Sequence, residues 1–231
     1  MIAADAVRRL EGTLVVDDDG APLVVYRGEH GDNQGLSGDR LFQSRLGSIS
    51  FGSAEAASFY AEEPNNRNDR PVAPRVYPAF LSITNPIIHN LDDPFIDLRA
   101  LEAAMSREHA LRIACKFGHA VQNTNCWEEM AAELGVVCVE EAVQDHPDRL
   151  LEAYFDVFYL LDDPDEVRLL KEHGFDGAIH MGNGETADEL EYRIFDESQA
   201  ISVFDQGVLE RPVNGQGRLR NNNLDMPRMG F

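Results

Sequence analysis

Short runs in which apolar and polar residues alternate lie near both ends of the chain, and a period of two is typical of β-strands with one buried face. In the first part these runs cover 14–16, 22–26, 48–51 and 76–83, and in the last part 175–180, 192–195 and 200–204. An acidic turn at 17–20 separates the first two runs. The pattern therefore predicts two groups of strands, far apart in the sequence.

Between these groups the apolar residues recur at the spacing of a helix. Helical periodicity covers 97–117, 127–134 and 149–161. A shorter helix is predicted at 53–61 with Ser53 as its N-terminal cap, and another begins at Asp163–Pro164 and ends at Gly174. The order of strands, helices and strands favours an α+β fold over a regularly alternating parallel sheet.

We therefore predict one domain over residues 1–208, with a helical insertion at about 97–161. Residues 209–231 are rich in Asn, Gly and Pro and poor in apolar residues, so they are predicted to form a flexible tail. A chain of 231 residues is long enough for one such domain with a sizeable core.

The charge of the chain argues against nucleic acid as a partner. It has 41 acidic and 20 basic residues and a formal net charge of −21, which repels phosphate groups. An alternative is an acidic inhibitor whose carboxylates imitate a nucleic acid. The carboxylates are, however, spread through an ordinary apolar pattern, which favours a solvated acidic surface.

Neither a metal site nor a membrane segment is predicted. Cys115, Cys126 and Cys138 lack the paired spacing of a zinc site or a disulfide scaffold, so reduced thiols are expected. No apolar run reaches the roughly 18 residues that a membrane span needs, and residues 1–10 lack the pattern of a secretion signal. A cytoplasmic protein is the expectation.

The candidate chemistry begins with two carboxylates at the start of a late strand. Glu189 and Glu191 are two positions apart, so on a strand both side chains point to the same face. Paired carboxylates suit acid/base chemistry or the stabilisation of a positive charge. Upstream, Arg27 and Gly28 stand at the end of one predicted strand, and Ser50 lies in another.

Taken in order, the segments 24–28, 47–52 and 189–191 resemble the Arg, Ser and Glu motifs of the ADP-ribosyltransferase superfamily. Arg27 matches the arginine of the first motif, Ser50 the serine of the second and Glu191 the second glutamate of Glu-x-Glu. In the second motif Ser50 is followed by Phe-Gly instead of Thr-Ser. The resemblance implies a split antiparallel β-sandwich of the ADP-ribosyltransferase type, interrupted here by helices.

Three further segments, 80–86, 173–179 and 191–201, are similar to recurring pieces of the phage and mobile-element members of this superfamily, including those found in polyvalent proteins. The resemblance covers roughly 14–86 and 165–204 and leaves the helical middle uncovered. It implies a phage-encoded protein or one delivered into a host cytoplasm, with NAD as substrate and a protein as acceptor.

The implied reaction breaks the bond between nicotinamide and ribose through an oxocarbenium-like centre. Glu191 would stabilise that positive centre electrostatically, and Ser50 would orient Glu191 through a hydrogen bond. Arg27 would hold the pyrophosphate, because its planar fork binds oxyanions at two points. Gly28 would let the main chain approach the ligand closely.

Two roles concern the rest of the substrates. Phe51 or Tyr60 would cover the nicotinamide ring. Glu189 would face the acceptor, and in the family a glutamate at this place goes with arginine acceptors, which a carboxylate can pair with and help to deprotonate.

The same residues admit simpler interpretations. Arg27 can form an ordinary surface ion pair, Ser50 can serve a turn or a cap, and Glu189 and Glu191 can be charges that protect an edge strand. A catalytically degenerate, phage-like structural or delivered protein of the same fold is a further alternative to the enzyme.

Overall fold

The computed structural model describes residues 7–29, 46–62, 74–183 and 188–204, so the predicted tail at 209–231 lies outside the described residues. In chain order the strands are β1 (Val25–Glu29), β2 (Ile49–Phe51), β3 (Arg75–Leu81), β4 (Pro86–Asn90), β5 (Phe95–Asp97), β6 (Tyr154–Asp156), β7 (Gly177–Met181), β8 (Leu190–Ile194) and β9 (Ala200–Ser202). The helices are α1 (Ala54–Glu62), α2 (Leu98–Ala104), α3 (Arg107–Lys116), α4 (Gly118–Gln122), α5 (Asn125–Leu134), α6 (Val139–Asp145), α7 (Pro147–Leu150), α8 (Phe158–Asp162) and α9 (Pro164–Glu172). The protein is a mixed α+β structure, as predicted.

Two small sheets carry the strands from both ends of the described chain. The first has the order β1-β3-β9 and is antiparallel, with Leu81 of β3 opposite Ala200 of β9. The second has the order β2-β8-β7-β4, and it too is antiparallel except that β4 runs parallel to β7. The expectation of purely antiparallel sheets was therefore wrong at β4. Parallel neighbours need a long crossover connection, and the helical region provides it.

The two sheets share one apolar core. Strand alternation sends Phe51, Leu81, Ile179 and Ile194 into it, and all four are almost fully buried. Burying apolar side chains is worth about 1.5 to 3 kcal/mol each, so this shared core holds the sheets together.

A second apolar cluster lies among the helices and reaches the opposite face of the four-stranded sheet. It includes Leu101 and Ile113 from the helices and Ala178 from β7. The helical region thus packs directly on the sheet. It covers the face that points away from the core between the sheets.

Three predicted elements differ from the structure. The run 14–16 forms an isolated bridge, Val16 to Pro22, and the backbone of Leu14 bonds Ile83 instead of extending a ladder. The predicted helix 97–117 is two helices, because the backbone turns at Met105 and Ser106 caps α3 by accepting a hydrogen bond from the amide of His109.

The predicted helix 149–161 is interrupted by β6. Within this range every second residue from 151 to 157 is fully buried, namely Leu151, Ala153, Phe155 and Val157. Burial with a period of two is typical of a strand, although the sequence around it has the spacing of a helix. Strands β4, β5 and β6 were not predicted.

Helix α1 lies directly on β1. A Cβ atom built on Gly28 would stand 1.8 Å from the carbonyl oxygen of Ala57 in α1. Ser53 caps this helix as predicted, since its Oγ accepts a hydrogen bond from the amide of Ala56 at 3.0 Å. Tight packing at Gly28 therefore fixes α1 against the strand that carries Arg27.

Candidate active site

Around Glu191 of β8, the face of the four-stranded sheet that points away from the core between the sheets carries polar side chains. Because Tyr192 and Ile194 of β8 point into the core, Glu191 and Arg193 point to the other face. Ser50 of β2 lies opposite Arg193, and His180 of β7 lies opposite Glu191. Directly opposed residues share a face, so four polar side chains from three strands meet.

Ser50 and Glu191 are joined directly. The hydroxyl of Ser50 donates a short hydrogen bond to Oε1 of Glu191, whose residue is only 7% exposed. Arg27 reaches the same place from the other sheet, because its Nη1 donates to the backbone carbonyl of Ser50 at 3.2 Å. Its Nε also donates to Glu29 at 3.1 Å. The structure thus brings together Arg27, Ser50 and Glu191, the three residues of the sequence motifs.

Glu189 directly precedes β8. Its Oε2 accepts a short hydrogen bond from the hydroxyl of Ser53, the residue that also caps α1. The side chain is partly exposed. Glu189 is therefore held by the helix end, while Glu191 is held by the neighbouring strand.

The expectation for Phe51 needs correction. Phe51 is 2% exposed and belongs to the core between the sheets, because adjacent strand residues point to opposite faces and Ser50 takes the polar face. It cannot cover a ring bound beside Ser50. At Gly28 the structure shows a close approach by the Ala57 carbonyl of α1, which gives this glycine a packing role. Tyr60 is 48% exposed on α1, in edge-to-face contact with Phe59, and the structure does not join it to the cluster.

Arg193 was not predicted, yet it is the nearest charge to Glu191. Its Nε lies 2.5 Å from Oε1 of Glu191, although the N–H does not point at that oxygen, so the contact is an ion pair without a hydrogen bond. Its Nη1 pairs with Asp162 at 2.8 Å and lies 3.3 Å from the hydroxyl of Ser48. The guanidinium carbon also lies 4.9 Å from the centre of the Phe158 ring.

His180 was not predicted either. Its Nδ1 lies 2.8 Å from the carbonyl oxygen of Met181, which only accepts, so Nδ1 carries the proton. Burial lowers the pKa of His180, against a smaller raising effect of that carbonyl and of Glu191, and the imidazole is neutral at pH 7. Its Nε2 is buried and has no hydrogen-bond partner among the described residues.

The signal for Arg193 was present in the alternation. Arg193 is two positions after Glu191 and must share its face on a strand. His180 stands at the end of the preceding strand, but the register that sets it opposite Glu191 is a tertiary feature. Asp162 and Phe158 come from α8, within the part of the sequence that the resemblance left uncovered.

Several other features of the described ranges lie apart from this cluster. Within 7–29, 46–62, 74–183 and 188–204, no group of three or more His, Cys, Asp or Glu is arranged to hold a metal ion. None of the helices there is long and apolar enough to cross a bilayer. A surface pocket of about 450 Å³ lies between Gly47, α9 and Phe195 and shares no residue with the cluster around Glu191.

Comparisons with protein-family models, with curated proteins and with solved structures gave no match.

Proposed function

We propose that this protein transfers ADP-ribose from NAD to a protein side chain and releases nicotinamide. The fold proposed with it is a split β-sandwich of the ADP-ribosyltransferase type with the helical region added. The observation that carries the proposal is the hydrogen bond from Ser50 to the buried carboxylate of Glu191, with Arg27 bonded to the Ser50 main chain. These residues come from strands in both sheets, and only folding brings them together.

The chemistry assigned to each residue follows from its contacts. The reaction develops positive charge on the ribose, and a carboxylate fixed nearby stabilises that charge without reorganising. Ser50 fixes one oxygen of Glu191, so the other can face the ribose. Arg27 is anchored at the Ser50 carbonyl and supplies the cation for the pyrophosphate. Of the two aromatic residues expected to cover nicotinamide, only the exposed Tyr60 keeps that role.

Glu189 is proposed to address the acceptor. It is partly exposed and held by Ser53, so it can pair with a guanidinium that approaches from solvent. An arginine side chain of a protein is therefore the proposed acceptor, and the cytoplasm of a host cell the proposed place of action.

Release of nicotinamide from labelled NAD, with and without a cell lysate, tests the proposal. Glu191→Gln should lower the rate by about 10²- to 10³-fold, as expected for losing an electrostatic stabiliser, and Ser50→Ala by about tenfold. The matched control is Glu197→Gln, since Glu197 is an exposed carboxylate shortly after β8. Folded wild-type protein that binds NAD but releases no nicotinamide would refute the proposal.

A second candidate is a non-catalytic domain of the same fold. The ion pair with Arg193 favours it, because a cation 2.5 Å from Glu191 cancels part of the charge that the reaction needs. A degenerate pocket should show no thermal shift with millimolar NAD. Stabilisation by NAD that grows with its concentration would exclude this candidate.

A further inference from the structure

Arg193 lies between two carboxylates that belong to different parts of the protein. Glu191 stands on the same strand, whereas Asp162 is the last residue of α8 in the helical region. The Arg193 side chain is only 5% exposed. A buried guanidinium is stable only when its charge is paired, and here two partners share it.

The charge count of this group depends on Asp162. Glu191 and Arg193 alone sum to zero, and a neutral pair has little attraction for a positive ribose centre. With Asp162 the three groups carry a net charge of −1. His180 beside them is neutral, because burial lowers its pKa, so it does not alter the count.

The position of Asp162 is fixed by backbone contacts as well. Its carbonyl oxygen accepts a hydrogen bond at 3.0 Å from the amide of Gly47, just before β2. A Cβ atom on Gly47 would stand 2.5 Å from the next carbonyl oxygen, that of Asp163. The end of α8 is thus tied to the strand that carries Ser50.

The ring of Phe158 completes the arrangement at the start of α8. It faces the Arg193 guanidinium at 4.9 Å and meets the His180 ring edge-on at 5.1 Å. A cation over an aromatic face is held in a defined place, because the attraction falls off as it leaves the ring. One end of α8 therefore limits where the guanidinium lies and the other end pairs with it.

We propose that α8 completes the active site, with Asp162 and Phe158 as positioning residues that hold Arg193 so that its charge is shared and Glu191 retains net negative charge for the substrate. The inference rests on the proposed function. The helical region is then a part of the catalytic machinery, since it sets the electrostatics of Glu191.

The test uses full-length protein carrying Asp162→Asn, with Asp162→Glu as the conservative variant. Glu133→Gln is the matched control, because it also removes one carboxylate partner of an arginine, Arg149, in the helical region. Asp162 is 39% exposed, so its substitution should leave a folded protein, which circular dichroism verifies. Two quantities are measured: the kinetics of nicotinamide release and the NMR signals of the arginine Nε–H groups, assigned for Arg193 through Arg193→Lys.

We expect Asp162→Asn to lower kcat on the order of tenfold, the effect of one unit charge several ångströms away, with the KM for NAD changed less than twofold. It should also shift the Arg193 signal, and Asp162→Glu should restore both. Glu133→Gln should change neither. A merely structural role would instead lower the melting temperature without separating kcat from KM.

The outcomes separate the two proposals. An active wild type with an unchanged kcat and an unmoved Arg193 signal in Asp162→Asn overturns the inference and leaves the proposed function standing. An inactive wild type overturns the proposed function. In that case the NMR measurement still decides whether α8 positions the Arg193 side chain. An Arg193 signal that shifts in Asp162→Asn supports this positioning, and an unshifted signal refutes it.

Discussion

Replacing Gly28 by Ala tests why this position holds a residue without a Cβ atom. The two explanations are close packing of α1 against β1 and close approach of a ligand to the main chain. The added Cβ would meet the Ala57 carbonyl oxygen at 1.8 Å and its carbon at 2.8 Å. Normal contacts need well over 3 Å, so α1 must move away from β1 by more than 1 Å. The neighbour is backbone and has no alternative rotamer.

The expected loss of stability follows from that geometry. Overpacking in a core typically costs about 1 to 3 kcal/mol, and because the neighbour is backbone we expect a cost of about 3 kcal/mol here. For a domain of this size the melting temperature should fall by about 6 to 12 °C. Urea unfolding followed by circular dichroism measures the loss.

Gly52→Ala is the matched control. Gly52 pairs with Tyr26 of β1, the strand that also contains Gly28, through backbone hydrogen bonds that alanine preserves. The nearest atom to a Cβ on Gly52 would be 3.6 Å away. It should change stability by less than about 0.5 kcal/mol. Ala57→Gly should not rescue Gly28→Ala, since the clash is with a carbonyl group. Equal stabilities of Gly28→Ala and Gly52→Ala would show that the packing argument is wrong.

Three more predictions concern stability. Glu166→Gln removes the ion pairs that link α9 to Arg112 and Lys116 of α3, and it should lower the free energy of unfolding in urea by about 2 kcal/mol. This is less than the loss expected for a fully buried ion pair, because the Arg112 and Lys116 side chains are 43% and 34% exposed and can be hydrated. An unchanged free energy of unfolding would contradict the importance of this link. Because the folded-state pKa of His180 is lowered, the unfolded chain takes up this proton at a higher pH than the folded protein does, so stability should fall as the pH drops below about 6.5. Urea midpoints measured from pH 5 to 8 check this dependence. His180→Phe should flatten the slope, whereas His89→Gln, at an exposed histidine, should leave it unchanged. Gly135→Ala should cost about 1 kcal/mol, because Gly135 ends α5 at φ 72°, and an unchanged melting temperature would contradict that.

Much of the fold could be predicted from local patterns. The strands at 48–51 and 192–195 and the helix after Ser53 were found because alternation and a capping residue agree there. Strands β5 and β6 were missed because each has only three residues, and β4 because it begins with a proline and its two isoleucines are adjacent instead of alternating. At β6, moreover, the apolar residues fit a helix and a strand equally well, so tertiary packing decides between them.

The candidate site was also predicted only in part, because some of its contacts depend on tertiary packing. Arg27, Ser50 and Glu191 come together as the motifs indicated. The role for Phe51 was wrong although alternation alone excluded it, because Ser50 and its neighbour cannot share a face. Asp162 could not be found from the sequence, since its place beside Arg193 depends on how α8 packs on the sheet.

The pairing of β2 with β8 also has a consequence for the order of folding. The helical region is rich in contacts between chain neighbours, such as α2 with α3, whereas Ser50 must find Glu191 across most of the chain. Closing so long a loop costs entropy before any contact repays it, so local helices form sooner than distant strand pairs. A newly made chain should therefore be helical before Ser50 and Glu191 meet, and the appearance of that pair would report the completion of folding.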